Sequence, residues 1–224
     1  MKAKNLFFFI VAALVSSCGK KEDTNSSNPT TVSYINTNAG SSWTYHELDS
    51  SSSTPKSSDY TVTSTPNDTT INSKTYHVYS YSYGGSQYLN LTGNNYYQFD
   101  SVPINGGGSV ERIYLEDNLA VGGTWSQPFT LTIQHIPVPL TVTNKVAEKL
   151  TSLVVNNITY NNVVHVSSSI SSSFIPAASL TSSIDSYYAE NFGLIKNNTL
   201  VNLNYMGFNQ NVNTKTQLTS AILK

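Results

Sequence analysis

Ala39-Gly40-Ser41-Ser42-Trp43-Thr44-Tyr45 and, further along, Val121-Gly122-Gly123-Thr124-Trp125-Ser126 are two versions of one phrase: a glycine turn, a tryptophan and a hydroxyl side chain. The segments downstream of the two phrases run in parallel. Tyr60-Thr61-Val62-Thr63 has a counterpart in Leu140-Thr141-Val142-Thr143, and Thr75-Tyr76-His77-Val78 in the stretch Ile158 to Val166. Tyr96-Tyr97 has one in Tyr187-Tyr188. The four markers keep their order at offsets of 82, 80, 84 and 91 residues, a drift that loop insertions would produce. A period this long predicts two copies of one meander, spanning residues 39–100 and 121–190.

The segments between the markers read as strands. Ile71 to Tyr79 carries an Asn-led turn inside apolar alternation, which is the pattern of a hairpin. Gln87 to Leu91, Tyr96 to Phe99 and Arg112 to Leu115 are further strands, with a Gly-rich loop over Pro103 to Gly108. Asn156-Asn157 and Asn161-Asn162 each separate β-branched runs, and Asn tolerates the positive φ of a tight turn, so both are predicted turns. Asn144 to Val155 is predicted as strand because of its β-branched neighbours, although Val146, Ala147 and Leu150 fall on one helical stripe. Leu200 to Tyr205 and Gln217 to Leu223 close the chain as strands. The expected fold class is all-β: a curved antiparallel sheet or open half-barrel built from two similar meanders.

Composition agrees. Only 11% of the 224 residues are charged, and polarity comes from Ser, Thr and Asn beside fifteen Tyr and eight Phe. That mixture suits strands with one wet face and Asn-rich turns. Arg112 is the single arginine, and no basic patch exists, which argues against a nucleic-acid partner. A chain of this size buries roughly 70% of its unfolded surface and needs neither metal nor disulfide to hold a core. With Cys18 as the sole cysteine, no disulfide within one chain is possible.

The N-terminus sets the address. Lys2 and Lys4 precede an uncharged apolar run, Leu6 to Val15, and then small residues: a basic start, a short hydrophobic middle and a cut site. The run is well short of the ~20 residues of a spanning helix. Val15-Ser16-Ser17-Cys18 resembles a bacterial lipobox, which implies that Cys18 is acylated and becomes the first mature residue. Residues 1–17 are then a signal peptide. Residues 18–36 are polar and poor in apolar surface, the composition of a disordered tether, and 37–224 form a single β domain. Loss of Lys2 and Lys4 takes the formal charge from −1 to about −3. Lys21-Glu22-Asp23 resembles the lysine-plus-two-acids export tag of surface lipoproteins in gut-commensal and flavobacterial Gram-negative bacteria. It implies an outer-membrane anchor facing the cell exterior.

Tyr187-Tyr188-Ala189-Glu190-Asn191-Phe192-Gly193-Leu194-Ile195-Lys196 resembles a signature near the C-terminus of many bacterial lipoproteins, where a Gly-Trp turn and a Thr-Tyr-x-x-Val hairpin precede it, as Thr159 to Val163 does here. Such proteins are similar to the curved half-barrel of periplasmic lipid and lipoprotein carriers. The resemblance implies a turn at Gly193 and brings no catalytic residue.

No chemistry is legible elsewhere. His46, His77, His135 and His165 lie far apart in strand-like segments, without metal-ligand spacing, so no metal site is expected. No nucleophile elbow or phosphate loop occurs, and Gly106-Gly107-Gly108 lacks the Lys-Ser/Thr such a loop needs. Glu116, Asp117 and Asp100 would be a cation site only if folding joined them. Asp68-Thr69-Thr70 and Asp100-Ser101-Val102 resemble short O-glycosylation acceptors of the same bacteria. Trp43 and Trp125 are either sugar-stacking platforms or matched plugs of the core, and equivalent positions after a turn favour packing. The expectation is a non-enzymatic lipoprotein without cofactor, with a binding or structural role. Its alternatives are a carrier of lipid-like ligands on a concave sheet and a glycan-binding module.

Overall fold

The computed structural model describes residues 32–101, 109–133 and 135–224; Cys18, Lys21-Glu22-Asp23 and the Gly106–Gly108 loop lie outside them. The described chain forms twelve strands: β1 (Ser42–Asp49), β2 (Lys56–Ile71), β3 (Lys74–Tyr81), β4 (Ser86–Thr92), β5 (Asn95–Ser101), β6 (Ser109–Glu116), β7 (Thr124–Ile133), β8 (Ile136–Val155), β9 (Ile158–Ser171), β10 (Leu180–Ala189), β11 (Gly193–Tyr205) and β12 (Phe208–Ile222). One 3-10 turn, Ala177–Ser179, precedes β10. All strands belong to one antiparallel sheet in the order β6-β5-β4-β3-β2-β1-β12-β11-β10-β9-β8-β7. This is the all-β curved sheet expected from the sequence, bent until its two edges approach each other. Read from β7, the order is two six-stranded meanders laid side by side, with β12 of the second hydrogen-bonded to β1 of the first.

The bonds around the two tryptophans superpose residue for residue at the offset of 82. Gly40 and Gly122 adopt positive φ of 86° and 91°, a conformation that glycine adopts without a Cβ penalty. Gly40 N–H donates to Ser64 O at 2.9 Å and Gly122 N–H to Val146 O at 2.8 Å; Ser64 N–H returns to Ser41 O, and Val146 N–H to Gly123 O. The hydroxyl after each tryptophan meets a threonine across the hairpin, Thr44 with Thr61 at 3.1 Å and Ser126 with Thr143 at 3.0 Å. Each second strand then breaks register, after Ser64 in β2 and after Val146 in β8. Both hairpins close on two residues of positive φ, Asn72-Ser73 and Asn156-Asn157, as a tight primed turn requires.

Two markers sit differently from the expectation. Thr141-Val142-Thr143 is on the equivalent strand but slipped by two residues, since Thr143 and not Thr141 is the partner of Thr61 in the hydroxyl pairs. An even slip leaves the side chains on the same face, so Val62 and Val142 both point inward. Tyr187-Tyr188 lies on β10, the fourth strand of its meander, whereas Tyr96-Tyr97 lies on the fifth, β5. Asn161-Asn162 is not a turn. Both are inside β9, where Asn162 takes φ 49° without shifting the pairing to β8, in a strand whose hairpin already closed at Asn156-Asn157. His135 belongs to the β7–β8 turn and not to a strand.

The period-2 burial of β7, with Trp125, Leu131 and Ile133 buried, shows how alternation drives the fold. Its Pro128 is tolerable because β7 is an edge strand. Pro139 sits in β8 beyond the last residue paired to β9, Thr141, and its carbonyl accepts from Ser172 Oγ, so its missing N–H faces no ladder. The sheet edges meet through side chains: Gln127 Oε1 accepts from Ile113 N–H at 2.6 Å, and Trp125 Nε1 donates to Ile113 O at 3.0 Å. Ile113 of β6 is thereby held by β7 without a ladder.

The expected tether boundary also moves. Tyr34 is buried at 8% exposure, its N–H accepted by Tyr96 Oη, and Asn36 O accepts from Tyr79 Oη. Residues 33–36 line and plug one end of the sheet's inner face. Their anchor is the signature around Gly193: Asn191 N–H donates to Ser33 O at 2.7 Å, and Gly193, at φ 69°, lies so close that a Cβ would stand 3.2 Å from Tyr34 O.

Candidate functional site

The concave face of the sheet encloses a cavity of about 630 Å3, within the size range of small-molecule sites. Its closed end is the plug around Tyr34, Trp43 and Tyr188. Its two walls differ because the two meanders place different side chains at their inward positions. The second meander contributes Phe129, Leu140, Ile170, Leu180, Ile184 and Val201, continuous with the aliphatic cluster of Leu131, Ile133, Val138 and Leu203. Across it runs a hydrogen-bonded band, in which Ser168 donates to Asn144 Oδ1 at 2.7 Å and Asn197 Nδ2 to Ser186 Oγ at 2.8 Å. These pairs satisfy polar groups among apolar neighbours, where an unpaired one would cost roughly 1–3 kcal/mol.

The first meander contributes aromatic and ionisable groups. Tyr45 and Tyr60 stack with centroids 5.4 Å apart, and Tyr60 meets Tyr81 edge-on at 6.1 Å. Burial pushes the phenol of Tyr60 well above its ordinary value, assisted by the charge of Glu47; for Tyr81 burial again leads, with Tyr83 and Asp100 adding and Arg112 opposing. Arg112, the one arginine, reaches into this wall: Nη2 donates to Gln98 Oε1 at 2.9 Å, and Gln98 Nε2 donates to Asp100 Oδ2 at 3.0 Å. Thr216 Oγ1 donates to Glu47 Oε2 at 3.2 Å.

Folding separates the other candidates. Trp43 and Trp125 are 4% and 8% exposed, so neither offers a face to a sugar; both plug the core. The two tryptophans plug different clusters. Trp43 packs with Tyr79 at 5.9 Å, in a cluster that also holds Tyr160, while Trp125 joins Tyr96 and Tyr114. Tyr76 lies away from both, its hydroxyl on Glu111. Asp100 and Glu116 stand at opposite ends of the β5–β6 hairpin, opposite Val110 and Asn95 respectively, so the three acids make no cation site. Asp117 instead accepts from Tyr96 Oη at 2.9 Å. Among the described residues no group of three His, Cys, Asp or Glu side chains is placed to hold a metal. Cys18, expected from the lipobox resemblance to carry the lipid, is outside the described residues, as is part of the acceptor-like Asp100-Ser101-Val102.

One constellation was invisible in the sequence. Ser64 Oγ lies 2.8 Å from His77 Nε2, and Asp68 Oδ1 lies 2.8 Å from His77 Nδ1, the bond order of a serine-hydrolase relay. Ser64 is 1% exposed, however, and its N–H already donates to Ser41 O, so no carbonyl reaches the hydroxyl and that amide stabilises no oxyanion. Ser64 and Asp68 flank the register break of β2 and both bond His77 on β3, while Thr65 Oγ1, inside the break, donates to Val78 O at 2.7 Å. Their spacing, 64-68-77, is explained only by the β2–β3 pairing. His46 with Asp59 at 2.6 Å and His165 with Asp185 at 2.9 Å are likewise cross-strand pairs of neighbouring strands.

No family model and no curated protein matches the sequence. Among solved structures the fold resembles that of a "putative lipoprotein" from Parabacteroides distasonis, at 11% identity and a TM-score of 0.50, over 85% of this chain and 99% of that one. A "putative exported protein with YmcC-like fold" from Bacteroides fragilis aligns at 10% identity and a TM-score of 0.47, over the same shares of the two chains. At such identity the first likeness establishes one thing: this chain shares its fold with that crystal structure.

Proposed function

We propose that the protein is an outer-membrane lipoprotein, held by acyl chains on Cys18 and displayed toward the cell exterior, whose concave sheet binds a lipid-like ligand without transforming it. The observation that carries the binding reading is the aliphatic wall of a cavity of about 630 Å3, formed inside one curved sheet. Burying apolar surface there contributes about 25 cal/mol per Å2 of the area removed from water, so a chain-like ligand is favoured over a small polar one. The low charge of the chain and the inaccessible Ser64 support a non-catalytic role. The signal, the Val15-to-Cys18 lipobox and Lys21-Glu22-Asp23 support the address, and the fold shared with the "putative lipoprotein" of Parabacteroides distasonis is compatible with it.

Titrating the full mature chain carrying Cys18→Ser with an anthracene-labelled fatty acid tests the ligand class. Saturable binding at one site, with probe emission shifted as in an apolar medium, is expected; unsaturable partitioning overturns the reading. The address is tested in cells. Cys18→Ser should leave the membrane fraction after carbonate washing, since acyl chains contribute ~0.8 kcal/mol per buried methylene. Replacing Lys21, Glu22 and Asp23 by Ala should keep lipidation but abolish digestion by protease added to intact cells.

A further inference from the structure

One end of the cavity is lined by Glu47, Tyr60, Tyr81, Asp100 and Arg112, and Tyr83 stacks on Tyr81 just outside that lining, a mouth unlike the aliphatic wall. Tyr83 sits in the β3–β4 turn, 70% exposed, stacked on Tyr81 at 4.9 Å and 15° and edge-on to Tyr60 at 5.7 Å. Four rings thus form a continuous ladder, Tyr45-Tyr60-Tyr81-Tyr83, from the buried core to solvent. Glu47 and Asp100 flank it: burial and then both carboxylates push the Tyr83 phenol up. Arg112 lies on the same wall, near enough to Tyr81 to oppose that shift there. On the opposite side stands the aliphatic wall of the second meander.

Such a mouth selects among head groups. Two carboxylates against one guanidinium disfavour an anionic head, and Arg112 already shares a donor with Gln98. A cationic head is attracted by the two carboxylates but meets the guanidinium beside them; both carboxylates already accept hydrogen bonds, Glu47 from Thr216 and Asp100 from Gln98, and the rings pack on one another at 4.9 to 6.1 Å instead of forming an aromatic cage around it. A neutral polyol fits both kinds of group. Its hydroxyls donate to Glu47 and Asp100 and accept from Arg112, and its C–H face lies on an exposed tyrosine ring.

We propose that the ligand is a glycolipid, with its aliphatic chain on the wall of Phe129, Leu140, Ile170 and Ile184 and an uncharged sugar head at the mouth, stacked on the Tyr81–Tyr83 pair and hydrogen-bonded by Glu47, Asp100 and Arg112. This rests on the lipid-binding reading above and deepens it by fixing the head group.

Isothermal titration of the full mature Cys18→Ser chain with three amphiphiles of one chain length, each below its micelle-forming concentration, tests it: dodecyl maltoside, dodecyl sulfate and dodecyltrimethylammonium. Maltoside is expected to bind at least tenfold more tightly than either charged amphiphile. Tyr83→Ala, a change in an exposed turn, should weaken maltoside at least fivefold and leave the other two unchanged, with the far-ultraviolet spectrum intact. Equal affinity for all three, or a preference for a charged head, overturns the glycolipid while leaving a lipid cavity standing. Unchanged maltoside affinity in Tyr83→Ala overturns the stacking role. Binding of free maltose with no gain from the dodecyl chain, or of none of the three amphiphiles, overturns the lipid reading itself.

Discussion

Trp43 and Trp125 occupy one position of the repeated phrase but differ in one atom's environment. Trp125 Nε1 donates to Ile113 O across the sheet edges, whereas the buried Nε1 of Trp43 finds no acceptor among the described residues. Truncating either to Ala should cost ~3–5 kcal/mol and lower the unfolding midpoint strongly. Replacement by Phe separates them: Trp125→Phe forfeits a hydrogen bond, worth about 1 kcal/mol more than the packing loss, and Trp43→Phe forfeits none. Denaturant midpoints of the four variants check this. Gly193 is the second position where one atom decides. Gly193→Ala adds a Cβ 3.2 Å from Tyr34 O at φ 69°, a backbone region that costs an L-residue ~1–2 kcal/mol. The variant should lose about that stability and expose the Ser33–Asn36 segment to protease before the domain unfolds.

At the scale of elements, the hairpins β2–β3 and β8–β9 have the same two-residue turn built from different residues. Ser73 at φ 66° and Asn157 at φ 63° both hold a left-handed conformation, but Asn tolerates it better. Ser73→Gly should therefore stabilise by up to ~1 kcal/mol and Asn157→Gly by less, read from thermal midpoints. The β6–β7 edges show the same dependence on local chemistry. A side-chain amide and an indole do there what a strand ladder does elsewhere, which fixes the edges at Ile113.

For the molecule as a whole, the core is built on phenols. Tyr45, Tyr114 and Tyr188 have pKa values raised by burial, led in each case by desolvation. A group whose pKa is higher folded than unfolded contributes stability that is fully present below the unfolded value. That value is ~10 for tyrosine, and the contribution falls as pH rises above it. Stability should be flat from neutral pH to about 10 and then decline, with phenolate absorbance appearing cooperatively with loss of far-ultraviolet signal. Early, non-cooperative ionisation of all the tyrosines would contradict a buried phenolic core.

The amino-acid sequence by itself determined the strands, the hairpin turns at Asn72-Ser73 and Asn156-Asn157 and the duplication, because these rest on local rules: period-2 alternation, Asn and Gly at positive φ, and a phrase repeated in order. It also carried the signal-like N-terminus and Cys18. Tertiary structure alone decided what the strands enclose. Whether Tyr76 or Tyr79 meets Trp43 depends on register across the β2 bulge, and the slip of two residues at Thr141-Val142-Thr143 is invisible until strands pair. The Ser64-His77-Asp68 set, the plug at Tyr34 and the mouth of Glu47, Asp100 and Arg112 all join residues from different strands. No spacing along the chain encodes such neighbours. They meet because a twisted antiparallel sheet of two meanders curves back on itself, bringing β1, β5, β6 and β12 around one cavity.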